Sequence, residues 1–468
     1  MEKRDKKAAG YTPQQKNTIV VASITSFVTT FMGSALNLSI PEMEKYFGVN
    51  SQYVGWVVTV YMLTCAALAV PFGKLADLVK RKTILLPGIL IFSISSAAAV
   101  ISREMWVLLV FRFLQGIGAS MIFSTNIALL MEHFDDDMRG KVLGYATCAN
   151  YAGLSAGPVA GGILCYNLGW KSIFMVSAAV AAVAFLWAVL KLPKEQYKES
   201  FKKDIIKELD ISGIVSFAAS MTAGMYGLSV LNYGWKGYAL VAAGLVFIVL
   251  FLKAEKKAEK PLIDISVFRK NKAFSYANIA AFINYGANYV ISYMLSVYLQ
   301  TVKGFSPQTA GFVLLVNTLV LTVFSLFSGR LSDKIVPQYL SAAGMSLTAV
   351  ALGMLALMPE KASHIYIISV LAISGLGFAF FASPNTKAVM TEVPEEGYGS
   401  ASSILATMRS SGHTFSMAVV SGIIGIYMGN ESVINASVQI MTRTFHTIFS
   451  VFTILCILGI FMAIKRKV

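Results

Sequence analysis

Apolar runs of about twenty residues follow one another along nearly the whole chain, parted by short polar breaks. A run of that length, wound as an α-helix, crosses the ~30 Å hydrocarbon core of a bilayer. In hydrocarbon the backbone must satisfy its own hydrogen bonds, so only helices or closed barrels span it. Barrel strands would be about 10 residues long with strict alternation; these runs are twice that, so a helical bundle is expected. Spans are predicted near residues 17–41, 53–72, 83–101, 106–130, 141–165, 171–191, 211–231, 237–253, 273–300, 307–328, 337–358, 363–385, 400–428 and 444–464. The first run, Thr18 to Pro41, is too long for a signal-peptide core and lacks a cleavage site, so it reads as a retained span.

The polar breaks carry a repeat. Between the second and third spans, Gly73-Lys74-Leu75-Ala76-Asp77-Leu78-Val79-Lys80-Arg81-Lys82 packs one acid and four bases into ten residues. Gly329-Arg330-Leu331-Ser332-Asp333-Lys334 follows 256 positions later, and the same offset aligns Gln52 and Gly55 with Gln308 and Gly311. Matches on both sides of a span at one offset indicate a duplicated membrane unit. The offset lays spans 1–6 on spans 9–14. The expected fold is therefore an all-α integral membrane protein of fourteen transmembrane helices, two pseudo-symmetric six-helix bundles with two extra helices inserted between them. The expected divisions are a basic tail at 1–16, the N-terminal bundle at 17–192, a linker with two helices at 193–272, the C-terminal bundle at 273–464 and a basic tail at 465–468.

Composition agrees: 56% of the 468 residues are hydrophobic and 13% charged, half the charged share of an ordinary soluble chain. The net charge of +15 would suggest nucleic acid were it not for its placement. With the N-terminus cytoplasmic, only Lys45, Arg103, Lys171, Lys236, Lys303 and Lys361 fall in outside segments, which is the positive-inside pattern. The surplus sets topology in a cell membrane, with both termini cytoplasmic, and can touch anionic lipid. Cys65, Cys148, Cys165 and Cys456 lie within or at the edge of spans and fit no metal site. No nucleotide loop, metal cluster or catalytic triad is present in the sequence, so no cofactor and no enzyme activity is expected.

Two spans carry polar stripes. Span 1 holds Ser23, Ser26, Thr30, Ser34 and Asn37 at helical spacing. Span 9 holds the row Asn284, Asn288, Ser292 beside the row Tyr285, Tyr289, Tyr293. Such rows face a wet cavity or serve as hydrogen-bonding glue between helices, and spacing alone leaves both open. The Tyr row favours a cavity for span 9. Arg112 is the one full charge in mid-span 4, where an unpaired cation costs about 2.5–3.5 kcal/mol. It must face a cavity, polar partners or both, with Gln115 one turn away.

At this point the chain resembles the major facilitator superfamily, and within it the 14-span drug:proton antiporter branch. Gly73, Leu75, Ala76, Asp77, Arg81 and Lys82 match its loop signature, with Lys80 where Gly is usual. Arg112-x-x-Gln115-Gly116-x-Gly118-Ala119 is similar to its span-4 motif, and Gly153-x3-Gly157-Pro158-x2-Gly161-Gly162 to its antiporter motif. Trp170 with Phe174, Asp210 with Gly213, Pro261-Leu262-Ile263-Asp264, Tyr298-Leu299-Gln300 and Arg409 also fit. The resemblance implies alternating access of the two halves. In it, Gly73, Asp77 and Arg81 with Gly329 and Asp333 gate the cytoplasmic ends: Asp77 can cap a neighbouring helix or pair with Arg81 in one state only. The plainer reading is a loop that sets topology. In span 5, Pro158 removes a helical hydrogen bond. Gly153, Gly157 and Gly161 leave a flat packing face, which in the family meets the counterpart helix of the other half.

One departure bears on mechanism. Counting back from Asn37 and Pro41, the span-1 Asp usual in this branch is Met32 here, and the repeat places Asn288 opposite it. No carboxylate falls in mid-membrane: Glu42 and Glu132 sit at span ends and the other acids read as loop residues. The interior holds Arg112, Gln115, Arg409 and His413 as proton-coupling or substrate-binding candidates. His413 is the residue whose imidazole can titrate near neutral pH, or else a packing histidine. The expected cargo is a small molecule, bound by Ser34, Asn37, Asn284, Tyr285, Asn288, Tyr289, Ser292 and Tyr293, with protons as coupling ion and the protein working as a monomer in the bilayer. Multidrug or amphipathic efflux is the first reading. Export of an anionic or zwitterionic metabolite is the second, and a transport-inactive sensor the third.

Overall fold

The computed structural model describes residues 11–79, 81–134, 136–192, 210–231, 234–257, 271–332, 334–359, 362–393, 398–428 and 437–464. Asp333, the N-terminal tail to residue 10, most of both charged linkers and the last four residues lie outside them, as does the side chain of Asp77. Among the described residues there is no strand. The helices are α1 (Pro13–Ala35), α2 (Ile40–Phe47), α3 (Ser51–Leu78), α4 (Arg81–Ala99), α5 (Met105–His133), α6 (Asp136–Leu168), α7 (Lys171–Lys191), α8 (Ile211–Ser229) and α9 (Trp235–Lys257). After them come α10 (Lys272–Thr301), α11 (Pro307–Leu331), α12 (Pro337–Ala356), α13 (His364–Thr391), α14 (Tyr398–Met428) and α15 (Val438–Ile464). With α1 and α2 taken as one span, the described residues form fourteen helical segments that cross the bundle, and eleven of these are long and apolar enough to cross a membrane. The other three, α6, α10 and α14, are as long but richer in Asn, Ser, Tyr and Gly.

Local chemistry sets the ends. Thr12 and Gln15 cap α1 reciprocally: the Thr12 hydroxyl accepts from Gln15 N–H at 3.2 Å and Gln15 Oε1 accepts from Thr12 N–H at 3.0 Å, with Pro13 first in the helix. Asn50, Asn271 and Ser363 cap α3, α10 and α13 one way, each side-chain oxygen accepting the N–H three residues on. The first span is not the single helix expected at 17–41. It runs to Phe47 through a 3-10 turn, Leu36–Ser39. Pro41 explains the break, because it has no N–H to donate to the carbonyl of Asn37 and its ring crowds that carbonyl.

The duplication is visible in the packing. α1 packs on α6 and α7, α3 on α5, and α4 on α5 and α7. In the other half α10 packs on α14 and α15, α11 on α13, and α12 on α13 and α15. Gly88 of α4 lies against the backbone of Gly118, and its repeat mate Gly344 against Gly377. The halves meet along two seams, α3 with α14 and α6 with α11. The inserted helices α8 and α9 pack on each other, and α8 also lies against α3 and α14, across one seam only.

One end of the bundle holds Pro13 and Ile464; the opposite, distal end is where the halves are joined most closely. There Pro307 and Gly311 of α11 face Gly162 and Pro158 of α6 backbone to backbone. Two acids read as loop residues are instead buried in helices, Glu44 in α2 and Glu255 in α9 (3% and 4% exposed). Both stand near helix ends, not at mid-span.

Candidate functional site

The break in the first span creates the first part of the site. The last carbonyls of any helix have no partner of their own, and here α10 supplies them. The Tyr289 hydroxyl donates to Gly33 O at 3.0 Å and to Asn37 Oδ1 at 3.3 Å. The Ser296 hydroxyl donates at 3.1 Å to Asn37 O, the carbonyl that Pro41 leaves free. These bonds tie the two halves together. Tyr293 is buried beside Gly55 of α3, so it stands near the distal end and above the centre.

Below them lies a buried centre. Arg112 is fully buried, with its guanidinium 4.2 Å from the Tyr61 ring. Its Nε donates to Val57 O at 2.6 Å and its Nη1 to Gln115 Oε1. Gln115 passes the chain on to Ser96 at 2.6 Å. Nη2 of Arg112 has no hydrogen-bond partner, nor has Nδ2 of Asn288 (8% exposed). In the C-terminal half, Arg409 lies 4.6 Å over the Tyr285 ring. The His413 ring stacks on Tyr289 at 4.8 Å and approaches Tyr285 at 6.0 Å. Phe378 stands edge-on to Tyr285 and meets Tyr151 of the other half. The centre thus offers aromatic faces from both halves, a guanidinium in each, and unpaired buried donors. Cations over rings and aromatic pairs of this geometry stabilise by about 0.5–2 kcal/mol each in a dry setting.

The remaining predicted residues divide. Ser34 donates at 3.3 Å to Leu154 O, the carbonyl that Pro158 cannot serve. Thr30 donates to Asn150 O, and Ser26 accepts from Asn126 Nδ2. The stripe on the first span is therefore largely glue within its own half, and only Asn37 reaches the other. Asn284 likewise turns to Thr348 of α12 at 3.4 Å. Ser292 is half-buried.

The glycine row of α6 is corrected in the same sense. Gly153, Gly157 and Gly161 pack on Phe27, Ser34 and Ala35 of α1; Pro158 and Gly162 make the contact with the other half. The partner there is α11, the repeat mate of α3, and not α14, the repeat mate of α6. Met32 is also turned into its own half, where the Ser177 hydroxyl lies 3.2 Å from its sulfur.

At the end of the bundle that holds the chain termini, Gly73 and Asp77 lie in the last turns of α3 and Gly329 in the last turn of α11. Arg81 pairs with Glu132 Oε2 at 3.0 Å, and Lys82 donates to Leu192 O at 2.9 Å. These contacts clip α4 to the ends of α5 and α7. Spacing missed Tyr61, Tyr151 and Phe378. Tyr61 and Phe378 stand among apolar neighbours with no polar row to mark them, whereas Tyr151 shares an i, i+4, i+8 row with Thr147 and Ser155 that spacing could have found.

The model of the Major Facilitator Superfamily matches residues 22–417. The chain is 32% identical over 396 residues to the riboflavin transporter RibZ of Clostridioides difficile strain 630, covering 84% of each protein. It is 26% identical over 417 residues to the multidrug resistance protein Stp of Mycobacterium tuberculosis strain CDC 1551 / Oshkosh, covering 88% of this chain and 76% of that one. Among solved structures, a POT family transporter in complex with 5-aminolevulinic acid superposes with a TM-score of 0.71 at 13% identity, over 97% of this chain and 96% of the other. That last likeness is one of fold.

Proposed function

The chain belongs to the Major Facilitator Superfamily, and we propose that it is a proton-driven exporter of aromatic, amphipathic small molecules. It is a multi-pass membrane transporter and not an enzyme. The finer reading places it in the cell membrane as a monomer, with both termini cytoplasmic and the two halves alternating about the buried centre. The observation that carries the proposal is that centre, with Tyr61 and Arg112 from one half and Tyr285, Tyr289, Arg409 and His413 from the other. A centre closed on the distal side suits the half-cycle in which cargo enters from the cytoplasm. Asp77 and Asp333 would hold the cytoplasmic ends together in the other half-cycle. His413 is the proposed proton carrier.

Neutral or anionic cargo fits better than lipophilic cations. The buried carboxylates among the described residues are Glu44 and Glu255 near helix ends, whereas two guanidiniums and the unpaired Nδ2 of Asn288 surround the centre. A flat ring with carbonyl oxygens along one edge, the chemistry of a flavin, would stack on the tyrosines and accept from Arg112 Nη2. The similarity to a riboflavin transporter adds weight to this choice.

The test is flux in proteoliposomes under an imposed pH gradient, with riboflavin and ethidium compared. Riboflavin flux should collapse with a protonophore and fall about tenfold or more in Arg112→Ala, as loss of a hydrogen bond to a charged group implies. His413→Gln should flatten its pH dependence. Riboflavin flux indifferent to the protonophore would reject proton drive, and ethidium outrunning riboflavin would reject the charge preference.

A further inference from the structure

The inserted helices frame a crevice away from the buried centre. Where α8 ends and α9 begins, they stand off from the starts of α3 and α5 and leave a crevice of about 840 Å³. Its walls include Asn50, Tyr53, Trp56, Tyr226, Lys236 and Leu240, and no acid is among the described residues that line it. Trp56 and Tyr226 meet edge to face at 5.2 Å across it. Asn50 Oδ1 accepts the Tyr53 N–H as a helix cap at 2.8 Å, which leaves its Nδ2 as a donor on the wall.

Position and chemistry both bear on what fits there. Every lining residue named lies within about two turns of a helix end, on the order of 10 Å along the axis. That is the depth of the membrane–water interface, where Trp and Tyr collect. Trp235 and Tyr238 flank the opening, 75% and 66% exposed. Lys236, in the first turn of α9, is an exposed ammonium on an apolar stem, and the N-terminal end of a helix adds partial positive charge. Further along α9, beyond the crevice, Leu245, Val246 and Val249 are at least half exposed.

We infer that this crevice binds one anionic phospholipid of the leaflet at the distal end. The phosphate would lie between Lys236 and the Nδ2 of Asn50, the glycerol backbone against Trp56 and Tyr226, and the acyl chains along α9. A lipid so held joins the inserted pair to the N-terminal half beside the α3–α14 seam.

The test uses the full-length protein, delipidated and returned to nanodiscs of phosphatidylglycerol or phosphatidylcholine. The readouts are lipid retained on extraction, by native mass spectrometry, and the melting temperature. Phosphatidylglycerol should be retained on the wild type and raise its melting temperature, as a ligand of the folded state does. Lys236→Glu, at an exposed position, should retain about fivefold less, and Tyr226→Ser should also retain less. Equal behaviour of the two lipids, or unchanged retention in Lys236→Glu, overturns the inference. The same thermal shift from inorganic phosphate alone would also overturn it, in favour of a soluble anion site.

Discussion

The two seams between the halves are equivalent by repeat and unlike in construction. Along α6–α11 the backbones touch: a Cβ on Gly311 would overlap the carbonyl of Pro158, and one on Gly162 would stand 2.5 Å from the carbonyl of Pro307. Along α3–α14 the corresponding glycine, Gly55, has room, with Ser421 Oγ at 3.4 Å and Tyr293 Oη at 3.6 Å from where its Cβ would be. That seam is padded from outside by α8, whose Met225 packs with Leu63 of α3 and Ala418 of α14. One seam is a rigid backbone contact and the other a side-chain contact with a cover. Duplication sets which helices meet; the side chains at the contact decide how closely, and how much substitution each seam tolerates.

Substitutions at repeat-related positions break this comparison most sharply. Gly311→Ala forces apart a contact that cannot repack, at a cost of about 1–3 kcal/mol against the closed distal end. Transport should fall about tenfold, and a cysteine placed at the distal end should label faster. Gly55→Ala, its repeat mate, should change transport by less than about twofold, since the added methyl fits. Similar losses in both would show that the seams do not differ in the way described.

A smaller effect is expected between the seams. Tyr289→Phe keeps the ring on His413 but removes the hydroxyl that serves Gly33 O and Asn37. Loss of about 1 kcal/mol of net hydrogen bonding should shift the balance of closed and open distal ends about fivefold. Transport should fall less than in Gly311→Ala. An unchanged balance, read by the same labelling, would remove the Tyr289 bond from the account of closure.

Much of this architecture was legible in the sequence, because run length reports on lipid and the 256-residue offset on ancestry. Arg112 with Gln115 was legible too: a charge in mid-span has few ways to be satisfied. Periodicity groups side chains on one helix face without naming the neighbour, and that is where reading failed. The Gly153, Gly157, Gly161 row and the Thr30, Ser34 pair proved to be two sides of one contact between α1 and α6, while Ser26 turns to Asn126 of α5. The 3-10 turn at Leu36–Ser39 follows from Pro41, yet its consequence was invisible until Ser296 of a helix some 260 residues away was seen on the freed carbonyl. Tyr61 carries no pattern at all, yet Arg112 lies over its ring and its hydroxyl donates to Thr29 O of α1 at 2.9 Å.

The central claim, that the halves alternate and that the closed distal end opens, is tested most directly by a distance across the α6–α11 seam. Spin labels at Leu168 and Thr309, both exposed near that end, report it by double electron–electron resonance in nanodiscs. The account predicts a short-distance population that matches this structure and a second, longer one whose share changes with pH and with cargo. A single short distance under every condition of pH and cargo would contradict it.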